Sequence, residues 1–307
     1  MLRTLLTLAV LIGGTVDARA QEFIPLWSAG RMPNSRAMQL EDRITNERIQ
    51  QVGVPGVYAF FPSADENTGA AVVICPGGGY AHLSYAISGT QLAKWFNSMG
   101  VAAFVLKYRL PGSPDVRERH LAPLQDAQRA MRLVRARSSA WGIKTDRVGV
   151  LGTSAGGHLA AILSTSTRDE ARAGDDLDAM PFAPDFTILI SPVITMGEPG
   201  HAGSRNRLLG EHPTPDLVER YSAHRQVTGS TPPAFLVHAF DDTAVDVRNS
   251  VMYYTALVEH RVPASLHAFR SGGHDIALRN NPRSTDEWPR LCELWLLEMG
   301  FVRRVNR

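Results

Sequence analysis

Residues 147–161 read Arg147-Val148-Gly149-Val150-Leu151-Gly152-Thr153-Ser154-Ala155-Gly156-Gly157-His158-Leu159-Ala160-Ala161. An apolar, β-branched run passes directly into Gly-x-Ser-x-Gly, and a small-residue helical pattern follows. This order predicts a buried strand that ends in a sharp strand-to-helix turn with Ser154 thrust out at its apex. Such a turn is strained and crowded, so its neighbours must be small, and Gly152 and Gly156 meet that need. At the start of the following helix, the free backbone N–H groups and the helix dipole favour a developing anion. The same five residues occur by chance in many chains. The strand before and the helix after give the serine its reading as a nucleophile.

Outward from this turn, strand and helix patterns alternate. Strands are predicted at 57–62, 70–76, 101–108, 186–192, 233–239 and 264–269. Helices are predicted at about 89–99, at 122–141 with Gly142 as its stop, after Ser154, at 247–259, and near the C-terminus around Trp288 to Leu297. Residues 21–55 read as an irregular lead-in, and 165–182 as an acidic loop. The segment 193–232, rich in Gly, Pro, His and charge, reads as an insertion shaping substrate access. The fold class is therefore α/β, a mainly parallel central sheet with helices on both faces. Residues 21–307 read as one domain. The arginines of the helix 122–141 are expected to point outward, and Asp126 in that helix is placed to pair with Arg109.

In sheets of this kind chemistry gathers at the carboxyl ends of the strands. Four strand ends carry Gly77–Gly79, Ser154, Asp241-Asp242 and His274. A serine hydroxyl needs a base to take its proton, and a histidine serves near neutral pH. A carboxylate then fixes the tautomer of that histidine. Of the ten histidines, His274 lies in a glycine-flanked loop after the last strand, where an imidazole can reach the serine. His158, four residues past Ser154, is expected to hydrogen-bond beneath the turn. His238 lies inside a strand and reads as structural, and His201, His212 and His224 fall in the insertion. The acid is either Asp241 or Asp242. Three glycines in a row after a central strand, followed by Tyr80, suit a loop whose N–H groups approach a ligand closely.

Composition narrows the partners. The chain has 307 residues, 44% of them hydrophobic, with a formal net charge of +2. Nothing in that balance suggests nucleic acid or an anionic membrane. Residues 1–20 read as a secretory signal, with Arg3 as the positive start, Leu5 to Gly14 as the apolar core and Ala18-Arg19-Ala20 as the cleavage site. The expected mature protein begins at Gln21, is secreted or periplasmic, and carries no membrane anchor. The two cysteines, Cys75 and Cys292, read as buried apolar residues rather than a bridge. No Cys/His spacing suggests a metal site.

Gly152-Thr153-Ser154-Ala155-Gly156-Gly157-His158, Pro76-Gly77-Gly78-Gly79-Tyr80, Tyr108-Arg109-Leu110-Pro111 with Leu124-Gln125-Asp126-Ala127, His238-Ala239-Phe240-Asp241-Asp242-Thr243-Ala244-Val245 and Gly272-Gly273-His274 together resemble the α/β-hydrolase serine esterases. They are most similar to secreted bacterial acetylxylan-esterase-like enzymes of the acetyl and feruloyl xylan esterase type. The resemblance covers most of 55–300. It implies the α/β-hydrolase fold and a triad of Ser154, His274 and Asp242, since the pattern His-Gly-x-x-Asp-x-x-Val places the acid at its fifth position. Here Ala239 stands in place of the glycine, and Pro76 in place of the histidine of a related His-Gly-Gly-Gly signature. It further implies an oxyanion hole from the N–H groups of Gly78, Gly79 and Ala155, with no metal and no cofactor. Tyr80 is the candidate to line the substrate site. The implied activity is hydrolysis of short acyl esters on plant polysaccharide, acetylated xylan foremost, with a small ester or acylated carbohydrate as substrate. The competing readings are a general carboxylesterase or lipase, a serine peptidase of prolyl-oligopeptidase type for which the chain has no room for a propeller, and a hydrolase fold used only for binding.

Overall fold

The computed structural model describes residues 22–274 and 276–303. The predicted signal segment 1–20 lies outside the described residues. The strands are β1 (Glu22–Pro25), β2 (Arg43–Thr45), β3 (Arg48–Gln51), β4 (Gly56–Phe60), β5 (Ala71–Cys75), β6 (Ala102–Lys107), β7 (Val148–Thr153), β8 (Thr187–Ile190), β9 (Ala234–Ala239) and β10 (Ala264–Phe269). The helices are α1 (Gln91–Ser98), α2 (Ala122–Ala136), α3 (Ser138–Trp141), α4 (Ala155–Thr165), α5 (Ala202–Leu209), α6 (Pro215–Arg220), α7 (Arg248–Glu259) and α8 (Trp288–Glu298).

Eight strands form one sheet in the order β1-β4-β6-β5-β7-β8-β9-β10. The six from β6 to β10 run parallel, whereas β1 and β4 are antiparallel at one edge. The central strands are apolar throughout because both faces are covered. Along β5, Ala71, Val73 and Cys75 enter one core while Val72 and Ile74 enter the other. The first core packs the sheet against α2, α4 and α7, and the second against α1 and α8. Each Val, Leu, Ile or Phe fully buried this way contributes about 1.5–3 kcal/mol. Cys75 and Cys292 are both free and sit in opposite cores, on the two sides of the sheet.

Three expectations are corrected. The lead-in is not irregular, since it holds the edge strand β1 and the hairpin β2–β3. These strands are short, and β2 is wholly exposed, so no alternation of buried residues marks them. The helix 122–141 breaks at Arg137 (φ −98°, ψ 6°) into α2 and α3, and Gly142 ends it in a left-handed conformation (φ 65°) as its sequence suggested. The arginines of α2 do not face solvent. Arg129, Arg132 and Arg135 are all buried, and the acidic loop beyond α4 covers them. Arg129 pairs with Asp175, Arg132 with Asp169 (2.7 Å) and Arg135 with Asp185 (3.1 Å). Buried guanidinium groups require such partners.

The expected pair of Arg109 and Asp126 is present and buried. The Asp126 carboxylate accepts from Nε and Nη2 of Arg109 (2.9–3.1 Å), from the Arg109 N–H (2.8 Å) and from Nε1 of Trp27 (2.8 Å). Arg109 also donates to the carbonyl of Pro33 (2.8 Å), so this clamp joins the end of β6, α2 and the lead-in. Among the described residues, no helix is long and apolar enough to cross a membrane.

Candidate active site

Ser154 stands between β7 and α4 with φ 55° and ψ −121°, a strained conformation for a residue with a side chain. The surrounding backbone holds it there. The Ser154 N–H donates to the Ile190 carbonyl (3.0 Å), and its carbonyl accepts from Val193 (3.1 Å) and His158 (3.1 Å). The turn closes only because its flanks lack side chains. A Cβ on Gly152 would lie 2.1 Å from the Gly156 carbonyl oxygen, and one on Gly156 would lie 2.1 Å from that of Cys75.

Three distant residues meet at this apex. Ser154 Oγ lies 2.8 Å from His274 Nε2, and His274 Nδ1 lies 2.7 Å from Asp242 Oδ2. A carboxylate only accepts, so Nδ1–H donates to Asp242 and leaves the Nε2 lone pair to take the serine proton. Asp242 Oδ1 accepts from the N–H groups of Ala244 and Val245, both at 2.9 Å. Burial alone would raise the Asp242 pKa. The hydrogen bonds from His238, His274 and Val245 outweigh that effect and hold the carboxyl well below the usual carboxylate range. Asp241 is exposed and does not touch His274. Its Oδ1 accepts from the N–H of Gly273 (2.8 Å), which anchors the loop carrying the histidine.

The sequence reading missed a participant. His238, fully buried in β9, places Nε2 3.1 Å from Asp242 Oδ2 and 2.9 Å from the Val245 carbonyl oxygen. Both partners accept, so Nε2 carries the proton, and Ser250 Oγ donates to Nδ1 across 2.8 Å. His238 is thus a positioning residue that turns Oδ2 toward His274. Its spacing of four residues from Asp242, across the strand end, was the available signal.

Gly77, Gly78 and Gly79 line the same cleft as Ser154 and His274, a space of about 600 Å3. Among the described residues none accepts a hydrogen bond from the N–H of Gly78, Gly79 or Ala155. The loop needs its glycines, because Gly78 has φ 130° and a Cβ there would lie 2.1 Å from the His82 carbonyl oxygen. Tyr108 donates its hydroxyl to the Pro76 carbonyl (2.8 Å) and steadies the start of the loop.

Tyr80 does not line the cleft. It is 2% exposed, and its hydroxyl donates to His158 Nδ1 (2.8 Å) while His158 Nε2–H donates to the Tyr221 carbonyl (2.7 Å). Tyr80, the candidate lining residue, is therefore absent from the serine cleft, but it is among the residues that line a neighbouring groove. Its buried ring and its hydrogen bond to His158 brace the glycine loop against α4. His158 lies beneath the turn, as expected, and burial lowers its pKa to about 4.

The cleft walls come from three places. Asn46, Glu47 and Arg48 belong to the β2–β3 hairpin, and Ile87, Leu92 and Ile276 give an apolar side. The insertion contributes His201 at the start of α5. The N–H of Ser204 donates to His201 Nδ1 (3.1 Å), so the neutral ring carries its proton on Nε2. Burial, then the nearby His274 and Arg207, lowers its pKa. His212 and His224 do not line this cleft.

The BD-FAE family model matches residues 58–257. An acetylxylan esterase of Xylanibacter ruminicola is 36% identical over 227 residues, which are 72% of this chain and 44% of that protein. Endo-1,4-beta-xylanase B of Butyrivibrio fibrisolvens is 32% identical over 228 residues, 74% of this chain and 35% of that one. The chain thus spans less than half the length of these curated relatives. Among solved structures, an acetyl ester-xyloside bifunctional hydrolase from Caldicellulosiruptor lactoaceticus superposes with a TM-score of 0.78 at 37% identity, over 92% of this chain and 98% of that chain. The architecture is that of the α/β-hydrolase esterases.

Proposed function

Because the chain belongs to the BD-FAE family, we propose that it is an exported serine esterase that removes acetyl groups from plant polysaccharide, xylan above all. The observation that carries this reading is the continuous relay from Ser154 Oγ to His274 (2.8 Å) and on to Asp242 (2.7 Å). Ser154 Oγ attacks the ester carbonyl carbon as His274 Nε2 takes its proton. The carbonyl oxygen becomes an anion, met by the N–H groups of Gly78, Gly79 and Ala155, where each donor stabilises the transition state by about 3 kcal/mol. The C–O bond to the alcohol breaks as Nε2 returns the proton to the leaving oxygen. Water then adds to the acyl-serine, with His274 again taking and returning a proton, and the acid leaves. Asp242 stays ionised throughout and holds the imidazole in its tautomer.

The curated relative from Xylanibacter ruminicola supports acetyl esters of xylan as the substrate class. Export rests on residues 1–20 alone, and the mass of protein recovered outside the cytoplasm tests it, Gln21 being the expected first residue. The substrate is tested with nitrophenyl esters of rising chain length and with acetate release from acetylated xylan. The expected result is kcat/KM for acetate about tenfold above butyrate, a discrimination within reach of a snug acyl site. Activity that climbs with chain length, without acetate release from any polysaccharide, moves the protein to the general carboxylesterases or lipases.

A further inference from the structure

A second groove, of about 680 Å3, is lined by Tyr80 and Ala81 directly after the glycine loop of the serine cleft. The same elements wall both. The hairpin β2–β3 gives Arg48 to the cleft and Arg43 and Gln50 to the groove, while α5 with its N-cap gives His201 to the cleft and Asn206 and Arg207 to the groove. Arg207 marks the junction, since its Nη1 donates to the Gly79 carbonyl across 3.3 Å.

The groove is lined by three exposed arginines, Arg43, Arg119 and Arg207, and by one exposed glutamate, Glu211. Among the described residues none of the three has a carboxylate within 4 Å. The arginines buried under the acidic loop are different, since each has its own aspartate. A guanidinium fork matches a carboxylate in two parallel hydrogen bonds. The amides lining the rest of the groove suit sugar hydroxyls.

We propose that this groove binds the carboxylate of an acidic sugar on the leaving-group side of the substrate, so that the protein prefers acetyl groups next to a uronic acid branch. This rests on the esterase reading above and names the substrate class within it. The groove shares no lining residue with the apolar wall of Ile87 and Ile276, which leaves that wall to the acyl group.

The test pairs two ligands that differ at one group. One is a xylo-oligosaccharide bearing a single uronic acid branch, and the other is the same oligosaccharide with the carboxyl reduced to an alcohol. Binding to the full-length Ser154→Ala protein is followed by titration calorimetry, so the result does not depend on turnover. The expected result is binding about tenfold tighter for the acid, a ratio typical of one well-placed charge-assisted contact. The double variant Arg43→Gln/Arg119→Gln brings the ratio close to one, and so does about 1 M salt, where the screening length falls to about 3 Å. Equal binding of the two ligands to the unaltered groove, or a preference that survives the double variant, overturns the proposal. Nitrophenyl acetate turnover by the wild type is read in parallel. Its failure counts against the esterase reading and leaves the binding ratio to decide the groove.

Discussion

At the level of single residues, the proposed triad of Ser154, His274 and Asp242 is expected to act as one unit, so that the effects of removing its members do not add. Ser154→Ala and His274→Ala are each expected to lower kcat by about four orders of magnitude or more, with the fold retained. Asp242→Asn is expected to cost nearly as much, because an amide cannot hold the same tautomer and leaves the Nδ1 proton without its ionised acceptor. Asp241→Asn is expected to cost little, since its side-chain oxygen still accepts from Gly273. Kinetics on nitrophenyl acetate check the ranking, and a reversal would assign the acid to Asp241. His238→Asn is expected to lower kcat by roughly 10- to 100-fold with KM nearly unchanged, since a small misplacement of a reacting group costs up to about 100-fold. A purely structural role for His238 would instead lower the melting temperature and leave kcat intact. The strand ends bearing Ser154 and His274 were legible because glycine and a polar residue interrupt apolar runs. Adjacent aspartates carry no such signal, so the choice of Asp242 came from resemblance. Tyr80 is less simple: a tyrosine beside glycines looks like a ligand platform, and it does line the groove beside the cleft, but its ring is almost wholly buried and its hydroxyl is spent on His158.

Among the elements, the ties between α2 and its neighbours decide how firmly the site is framed. Asp126 accepts from Arg109 and Trp27 with no solvent exposure. Asp126→Ala leaves Arg109 buried and uncompensated, so it is expected to destabilise by about 3–5 kcal/mol in chemical denaturation. A loss below about 1 kcal/mol would show that the lead-in relaxes and water reaches Arg109. The arginines of α2 explain what the sequence concealed. Helical spacing predicts that charge faces water, but Asp169, Asp175 and Asp185 arrive from a loop that periodicity cannot place. The hairpin β2–β3 was illegible for the opposite reason: it has too few buried side chains to show any period, yet it walls the cleft. The strongly apolar β5 to β9 were legible because both of their faces are covered.

Across the whole molecule, the site is joined to the fold by His158, which links the glycine loop, α4 and the insertion through Tyr80 and Tyr221. Its folded pKa of about 4 lies below the unfolded value of about 6.5. The unfolded chain therefore binds more protons between those limits, and stability falls as pH drops through that window, then levels off below about 4. The loss at its end is about 3 kcal/mol, since each tenfold difference in proton affinity between the folded and unfolded chains is worth about 1.4 kcal/mol. Asp242 acts in the same direction at lower pH, because its depressed pKa contributes stability that disappears as the carboxyl is protonated. Unfolding followed between pH 7 and pH 4 checks this, and His158→Gln is expected to flatten the profile. The central claim, that Ser154 is a nucleophile driven by His274 and Asp242, is tested most directly by a fluorophosphonate, which reacts with an activated serine. Peptide mapping after labelling is predicted to place one adduct on Ser154, and none in His274→Ala over the same time. An unlabelled Ser154 in the folded wild-type protein, or an adduct on another residue, would contradict the account.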